Sequence, residues 1–273
     1  MSKPFIHLRC LSSYSLSEST LKIKKLVNLA KKNNLPALAI TDNNNMFGVF
    51  EFAQECVINN IQPIIGTSIN LLDIREKDKI SQLSFLVKNE TGYKNLIYLS
   101  SISYLNAGSD IGITIKDLEN HSEGLFCFLG GEYNPLMILH NDNKSTDKLI
   151  NIFKKLFKNN LLFELQRIND SEIDSFENIL IKKSNEFNIP LIGTNNIKFG
   201  EKEEFAAHDA LLCVAQKTTI NNGSRKTSNN QIAFKNDEEM FGLFSDIPEV
   251  IENNFNVAIS CSYYPKEVTP KLP

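Results

Sequence analysis

Short apolar runs alternate with amphipathic stretches along most of this chain, and that alternation confines it to a small set of folds. The runs are FIHLRC (5–10), ALAIT (37–41), QPIIGTSINLL (62–72), LSFLVKN (83–89), LFCFLGG (125–131), LLFELQR (161–167) and PLIGTNN (190–196). Each is short and bounded by Asn, Gly or Pro, as buried parallel strands are. In STLKIKKLVNLAKKNN (19–34), Ile23, Leu26, Val27 and Ala30 fall on one helical face. The serines before it are placed to cap its first turn, and Asn33 and Asn34 to end it. MFGVFEFAQECVINN (46–60) and SEIDSFENILIKKSNEFN (171–188) repeat the pattern. Repeated strand–helix alternation implies a parallel sheet with right-handed crossovers. Seven such runs before residue 200 fit a closed or nearly closed barrel better than an open sheet. The expected fold class is α/β: a distorted, TIM-like seven-stranded (β/α) barrel over residues 1–200. Its chemistry belongs at the C-terminal ends of the strands.

After residue 200 the pattern changes. EEFAAHDALLCVAQ (203–216), NDEEMFGLF (236–244) and IPEVIENNFNVAISC (247–261) read as helices, with Pro248 suited to a first turn. Residues 217–234 are polar and irregular. We expect a C-terminal helical part over 201–262. Residues 263–273, rich in proline, read as a linker toward a longer chain.

Composition removes several function classes. The net charge is -3, so bulk electrostatics do not favour nucleic acid. Lysine clusters at Lys22, Lys24 and Lys25, and at Lys154, Lys155 and Lys158, read as solvated helix faces. The five cysteines are scattered, with no C-x-x-C pair, which argues against a disulfide framework and a structural zinc site. No signal peptide or membrane-length apolar run is present, and the cytoplasm is the expected compartment.

The strand ends are poor in ligands. The four histidines, His7, His121, His140 and His208, form neither H-x-H nor H-x-x-x-H, and each reads as structural or without a role. The serines at 12–19 read as turn and cap, because no G-x-S-x-G elbow occurs. LGGEYN (129–134) is not a dinucleotide fingerprint, and no P-loop is present. The residues alone describe an α/β barrel whose cleft carries Arg9, Lys198, Glu18 and Asp42 without an obvious catalyst.

Eight phrases taken together carry a resemblance. FIHLRCLSSYSL, LPALAITDNNNMFGVFEF, IQPIIGTSIN, NETGYKNLIYLSS, LLFELQR, IPLIGTNNIKF, AAHDALLCVA and EEMFGLFSDIPEVIENN stand in this order over nearly the whole chain. It resembles the polymerase-and-histidinol-phosphatase (PHP) domain at the N-terminus of bacterial replicative DNA polymerase III alpha subunits. That resemblance implies the distorted seven-stranded PHP barrel. In metal-binding members the strand ends carry His, Asp, Glu and Cys ligands that support phosphoesterase or proofreading chemistry.

This chain departs from those ligands. The H-L-H-x-H motif here places Arg9 and Leu11 at ligand positions. Glu18 keeps its acid. The T-D-H phrase reads Thr41-Asp42-Asn43, and the Glu of G-C-E is Ser68. The Cys of S-G-C is Gly131, the His after E-L-Q-R is Ile168, and N-D-V-H leaves Asn196 and Lys198. Of nine positions only Glu18 retains a ligand, and two hold permanent cations. The resemblance therefore implies a degenerate site with no metal and no catalytic residue. Arg9 and Lys198 would compensate Glu18 and Asp42 instead.

It further implies a DNA-directed DNA polymerase (a nucleotidyltransferase) as parent, with Mg2+ needed only in a polymerase region beyond Pro273. Expected partners are the rest of the alpha subunit, the proofreading exonuclease (epsilon) subunit, and DNA through the full polymerase alone; no membrane is expected. The competing readings are a stand-alone metal-dependent PHP phosphoesterase, and an anion-binding module with Arg9, Lys198, Asn43 and Asn196 around a phosphate.

Overall fold

The strands are buried on both faces, and alternate residues join two different apolar clusters with a period of two. A computed structural model of the chain describes residues 3–76, 79–105, 108, 110–139 and 142–267. His140 and the end of the proline-rich segment (268–273) lie outside the described residues. The elements, in order, are α1 (Ile23–Lys32), β1 (Ala37–Ile40), α2 (Val49–Ile58), β2 (Gln62–Glu76), β3 (Lys79–Val87), α3 (Glu90–Leu105), α4 (Ile115–Leu118) and β4 (Leu125–Gly130). Then follow α5 (Pro135–Leu139), α6 (Asn143–Phe157), β5 (Leu161–Gln166), α7 (Ser171–Phe187), β6 (Leu191–Thr194), α8 (Phe205–Ala215), α9 (Asp237–Leu243) and α10 (Glu249–Ser260).

The strands form one curled, half-barrel sheet of six, in the order β1-β2-β3-β4-β5-β6. Two expectations need correction. The sheet is mixed: β1–β2, β4–β5 and β5–β6 are parallel, but β3 runs antiparallel to both β2 and β4. In addition, FIHLRC is extended but is not a strand. It lies between β1 and residues 195–199, with Ala39 N–H donating to His7 O (3.0 Å) and Thr41 N–H to Cys10 O (2.8 Å). On its other side Leu11 N–H donates to Ile197 O (2.8 Å) and Ile197 N–H to Arg9 O (3.2 Å). Ile6 and Leu8 pack on the concave side of the sheet. Arg9 turns to that side as well, reaching Glu164 and Gln82. Consecutive residues on one side break the period of two, which is why no regular ladder forms.

On the concave side Ile6, Leu8, Ala39, Ile64, Leu86, Phe128, Leu162 and Ile192 form one apolar layer, closed by Val257, Ala258 and Cys261 around the end of α10. Buried Asn254 of α10 fixes the plug: it donates to Ile6 O (3.1 Å) and Gly193 O (2.7 Å) and accepts from Gly193 N–H (3.1 Å). The alternate residues of the same strands face outward into the larger core, among them Ile40, Ile65, Phe85, Cys127 and Phe163, with Leu26 and Val27 of α1, Phe52 of α2, Leu96 of α3, Phe153 of α6 and Leu180 of α7. Burying so much apolar surface on both faces is what holds the sheet together.

The helix expectations for 19–34, 46–60, 171–188, 203–216, 236–244 and 247–261 match α1, α2, α7, α8, α9 and α10. The serines do not cap α1, whose N-cap is Lys22 with no side-chain bond; they are engaged at the site below. Asn33 ends α1, and Asn34 follows at φ +54°, a conformation Asn tolerates. Among the described residues no helix is long and apolar enough to cross a membrane.

Candidate functional site

Above the apolar layer, the same inward positions turn polar at the strand ends. β5 continues from Leu162 to Glu164 and Gln166, β6 from Ile192 to Thr194, and β2 and β3 supply Ser68, Ser84 and Gln82. Glu164 is fully buried, and Arg9 donates to its Oε2 through Nη1 (2.8 Å). The second guanidinium nitrogen donates to Gln82 Oε1 (3.2 Å). On the far oxygen of Glu164, Gln166 Nε2 donates at 3.0 Å, and the Thr194 hydroxyl donates too. Gly131, at φ +70°, closes over this pair. A Cβ there would lie 2.7 Å from Gln166 Nε2 and 2.8 Å from both Arg9 Nη1 and Glu164 Oε2. The guanidinium occupies the space that any side chain at 131 would need.

A second cation–carboxylate cluster forms beside it. Lys198 Nζ lies 3.1 Å from Glu132 Oε2, and Asn196 Nδ2 reaches the same oxygen at 3.4 Å. Lys226, from the irregular stretch after α8, takes Oε1 at 2.5 Å and the Tyr133 hydroxyl at 3.0 Å. Burial by itself would raise the Glu132 carboxyl, but Lys198 and Lys226 beside it hold it far below the ordinary carboxylate range.

Glu18 and Asp42 are engaged elsewhere, so the structure places neither cation against the acids expected from the sequence. Buried Asp42 accepts from Ser12 N–H (2.6 Å), the Ser12 hydroxyl (2.7 Å) and the Ser15 hydroxyl (2.6 Å). Burial outweighs these bonds and pushes its carboxyl up. Glu18 accepts from the Asn43 amide. Ser68 pairs its hydroxyl with Ser84 (2.8 Å) and bridges to Asn43 through the backbone. Leu11 and Ile168 are simply buried, Ile168 with Ile173, Phe199 and Ile232.

The described histidines, His7, His121 and His208, are packed groups. His7 Nε2 lies 2.8 Å from Lys235 O, and burial lowers its pKa to about 4. His208 bridges Glu18 O (2.8 Å) and the Ser228 hydroxyl (2.6 Å), and burial lowers it as well. His121 stacks on Tyr98 with ring centroids 3.9 Å apart.

Sequence reasoning missed Glu164 and Glu132. Glu164 had a signal: it shares strand parity with Leu162 and is flanked by Phe163 and Leu165 in a short buried-strand pattern, and a buried carboxylate requires a partner.

The comparisons with known proteins decide the family. The PHP domain model matches residues 7–168. The chain belongs to the PHP domain family. It is also 35% identical over 278 residues to DNA polymerase III subunit alpha of Rickettsia bellii, covering 100% of this chain and 24% of that one. DNA polymerase III subunit alpha of Borreliella burgdorferi is 36% identical over 269 residues, covering 94% and 24%. The chain thus spans about a quarter of the length of these relatives. A solved putative metal-dependent phosphoesterase from Bifidobacterium adolescentis aligns at 13% identity with a TM-score of 0.44, covering 89% of this chain and 98% of that one.

The metal cluster that PHP strand ends can carry does not fit this PHP domain. Among the described residues no three His, Cys, Asp or Glu side chains converge to hold an ion. The Arg9 guanidinium and the Lys198 ammonium stand at the strand ends, each against its own carboxylate. A divalent ion placed among them would repel both cations in a low-dielectric cleft.

Proposed function

We propose that this chain is the N-terminal PHP domain of a bacterial DNA polymerase III alpha subunit, a cytoplasmic DNA-replication enzyme, and that the domain is catalytically silent. Its role is to support the polymerase region and to dock the proofreading exonuclease subunit. In this reading residues 5–11 complete the PHP barrel as an irregular seventh strand, and Arg9 and Lys198 stabilise the strand ends in place of metal. The observation that carries it is the buried Arg9–Glu164 pair seated under Gly131, which fills the space at positions 9 and 131 with a charge-paired cluster. The same pairing weighs against an anion-binding module, because both cations already point at carboxylates. The test is to assay the purified protein for metal-dependent phosphate-ester hydrolysis, and to titrate it with the exonuclease subunit on a sizing column. The expected result is no chelator-sensitive hydrolysis and co-elution with the exonuclease. Hydrolysis abolished by chelator, or no complex with the exonuclease, would overturn the respective half of the reading.

A further inference from the structure

A groove of about 620 Å³ opens between the start of β3, α5 and α7. Ordinary ligand sites occupy about 300–1,000 Å³ and are lined mainly by apolar side chains with a few placed polar groups. This groove meets that description. Ile80 of β3, Ile138 of α5, and Ile173, Phe176 and Ile179 of α7 form one apolar floor. Ile173 and Phe176 are buried, and the other three are half-buried. Isolated exposed apolar side chains are ordinary, whereas apolar side chains converging from three elements into one concavity mark a surface that takes a ligand.

The walls indicate the chemistry of that ligand. Among the described residues four carboxylates line the groove, Glu76, Glu132, Asp170 and Glu172, against one ammonium, Lys226. Lys226 is already held by Glu132 and the Tyr133 hydroxyl. Asp174, in the first turn of α7, is crowded by acids: partial desolvation, then repulsion from Asp170 and Glu177, pushes its carboxyl up. The field in the groove is therefore negative and favours a cation. Asn134 adds a directed contact. It is 1% exposed, and its Oδ1 accepts from Leu136 N–H (2.9 Å), which fixes the orientation of the amide. Its Nδ2 has no hydrogen-bond partner among the described residues, and Asn134 lines the groove. A buried donor left unpaired is costly, so an acceptor that reaches it is bound favourably.

We propose that the groove between β3, α5 and α7 docks a peptide segment of a partner protein that carries a large apolar side chain with lysine or arginine beside it. The apolar side chain covers Ile80, Ile138 and Ile179, a main-chain carbonyl accepts from Asn134, and the cation meets Glu76 and Asp170. A peptide supplies all three groups within consecutive residues. Nucleic acid is repelled by the same carboxylates. The proposal adds a binding site to the reading above and stands on the groove alone.

The experiment titrates the purified full-length chain into a fluorescein-labelled, glycine-flanked Lys-Leu-Phe-Leu-Lys peptide, with Glu-Leu-Phe-Leu-Glu as its counterpart, and reads fluorescence anisotropy. The expected result is saturable binding of the lysine peptide with a Kd on the order of 10–100 µM, and at least about tenfold weaker binding of the glutamate peptide. Ile179→Asp puts a charge on the apolar floor and is expected to weaken binding about tenfold or more. Glu76→Lys, at an exposed position that leaves the core untouched, is expected to weaken it about threefold or more. Glu119→Lys, at an exposed acid outside the groove, leaves it unchanged. No saturable binding, equal affinity for the two peptides, or full binding by Ile179→Asp overturns the inference. Equal losses in Glu76→Lys and Glu119→Lys overturn it too, because net charge alone would then attract the peptide. Self-association of the chain that Ile179→Asp abolishes assigns the groove to a second copy, which also overturns the proposal.

Discussion

Replacing Arg9 by Met tests whether the strand-end cluster holds the domain together. The side chains of Arg9 and Glu164 are 4% and 0% exposed. In Arg9→Met the stem of the side chain is roughly preserved, but the guanidinium is lost. Glu164 is left as a buried carboxylate with only the Thr194 hydroxyl and the Gln166 amide as donors. Removing one partner of a buried pair costs about 3–5 kcal/mol. The two surviving hydrogen bonds and the apolar Met body place this case at the lower end, about 3 kcal/mol. For a chain of this size that corresponds to a fall in Tm of roughly 6–12 °C.

The assay is urea unfolding, with the midpoint falling at constant slope. The double variant Arg9→Met/Glu164→Gln removes the stranded charge and is expected to recover about half of the loss. Lys3→Met, which breaks the exposed Lys3–Glu252 pair at 2.7 Å, leaves the midpoint in place. An Arg9→Met midpoint equal to that of the parent refutes the reasoning. So does a double variant that loses the sum of the two single losses, because the residues would then act independently.

Three further outcomes follow from the same geometry. Gly131→Ala forces a Cβ into the pair at a residue with φ +70°; it is expected to cost roughly 2–4 kcal/mol, and less when Arg9→Met is already present, so full additivity in urea would contradict the overlap. His7 is held near pKa 4, below its unfolded value of about 6.5, so its contribution is complete above pH 6.5 and is lost as pH falls toward 4. That loss amounts to about 3 kcal/mol, and His7→Asn is expected to flatten the fall in urea midpoint between pH 7 and 4.5; an unchanged profile would place the titration elsewhere. Elemental analysis of the gently purified protein is expected to find zinc, manganese and iron well below one per chain with a melting midpoint insensitive to chelator, and reproducible stoichiometric metal would contradict the cation-filled site.

The alternation of short apolar runs with 3.6-residue patterns was enough to read six helices and the position of every strand of the sheet. It was not enough to read direction. LSFLVKN is as short and apolar as its parallel neighbours, and only its pairing shows it antiparallel on both sides. The site was legible as a list of strand-end positions, but not as a set of partners. Arg9 and Glu164 are 155 residues apart in sequence, and Lys198 and Glu132 are 66 apart. Such pairs depend on which strands become neighbours and on register, which local pattern does not encode. Asp42 misled for a different reason. Its donors are Ser12 and Ser15, which sequence pattern reads as turn and cap; in the folded chain they lie well before α1 and satisfy a buried carboxylate from another strand end instead.

The coupling among Arg9, Gly131 and Glu164 also determines whether single substitutions could build a metal site here. A histidine at position 9 alone removes the cation and strands buried Glu164. A side chain at 131 alone drives its Cβ into Arg9 Nη1 and Glu164 Oε2. Each change is destabilising while the other residue stays, and neither assembles three ligands. The second cluster behaves alike: exchanging Lys198 for a histidine leaves Glu132, which lies between Lys198 and Lys226, with only one of its two cations. Gaining metal binding by single substitutions is therefore uphill at every first step, because the carboxylates that these cations neutralise lie in the interior of the same fold.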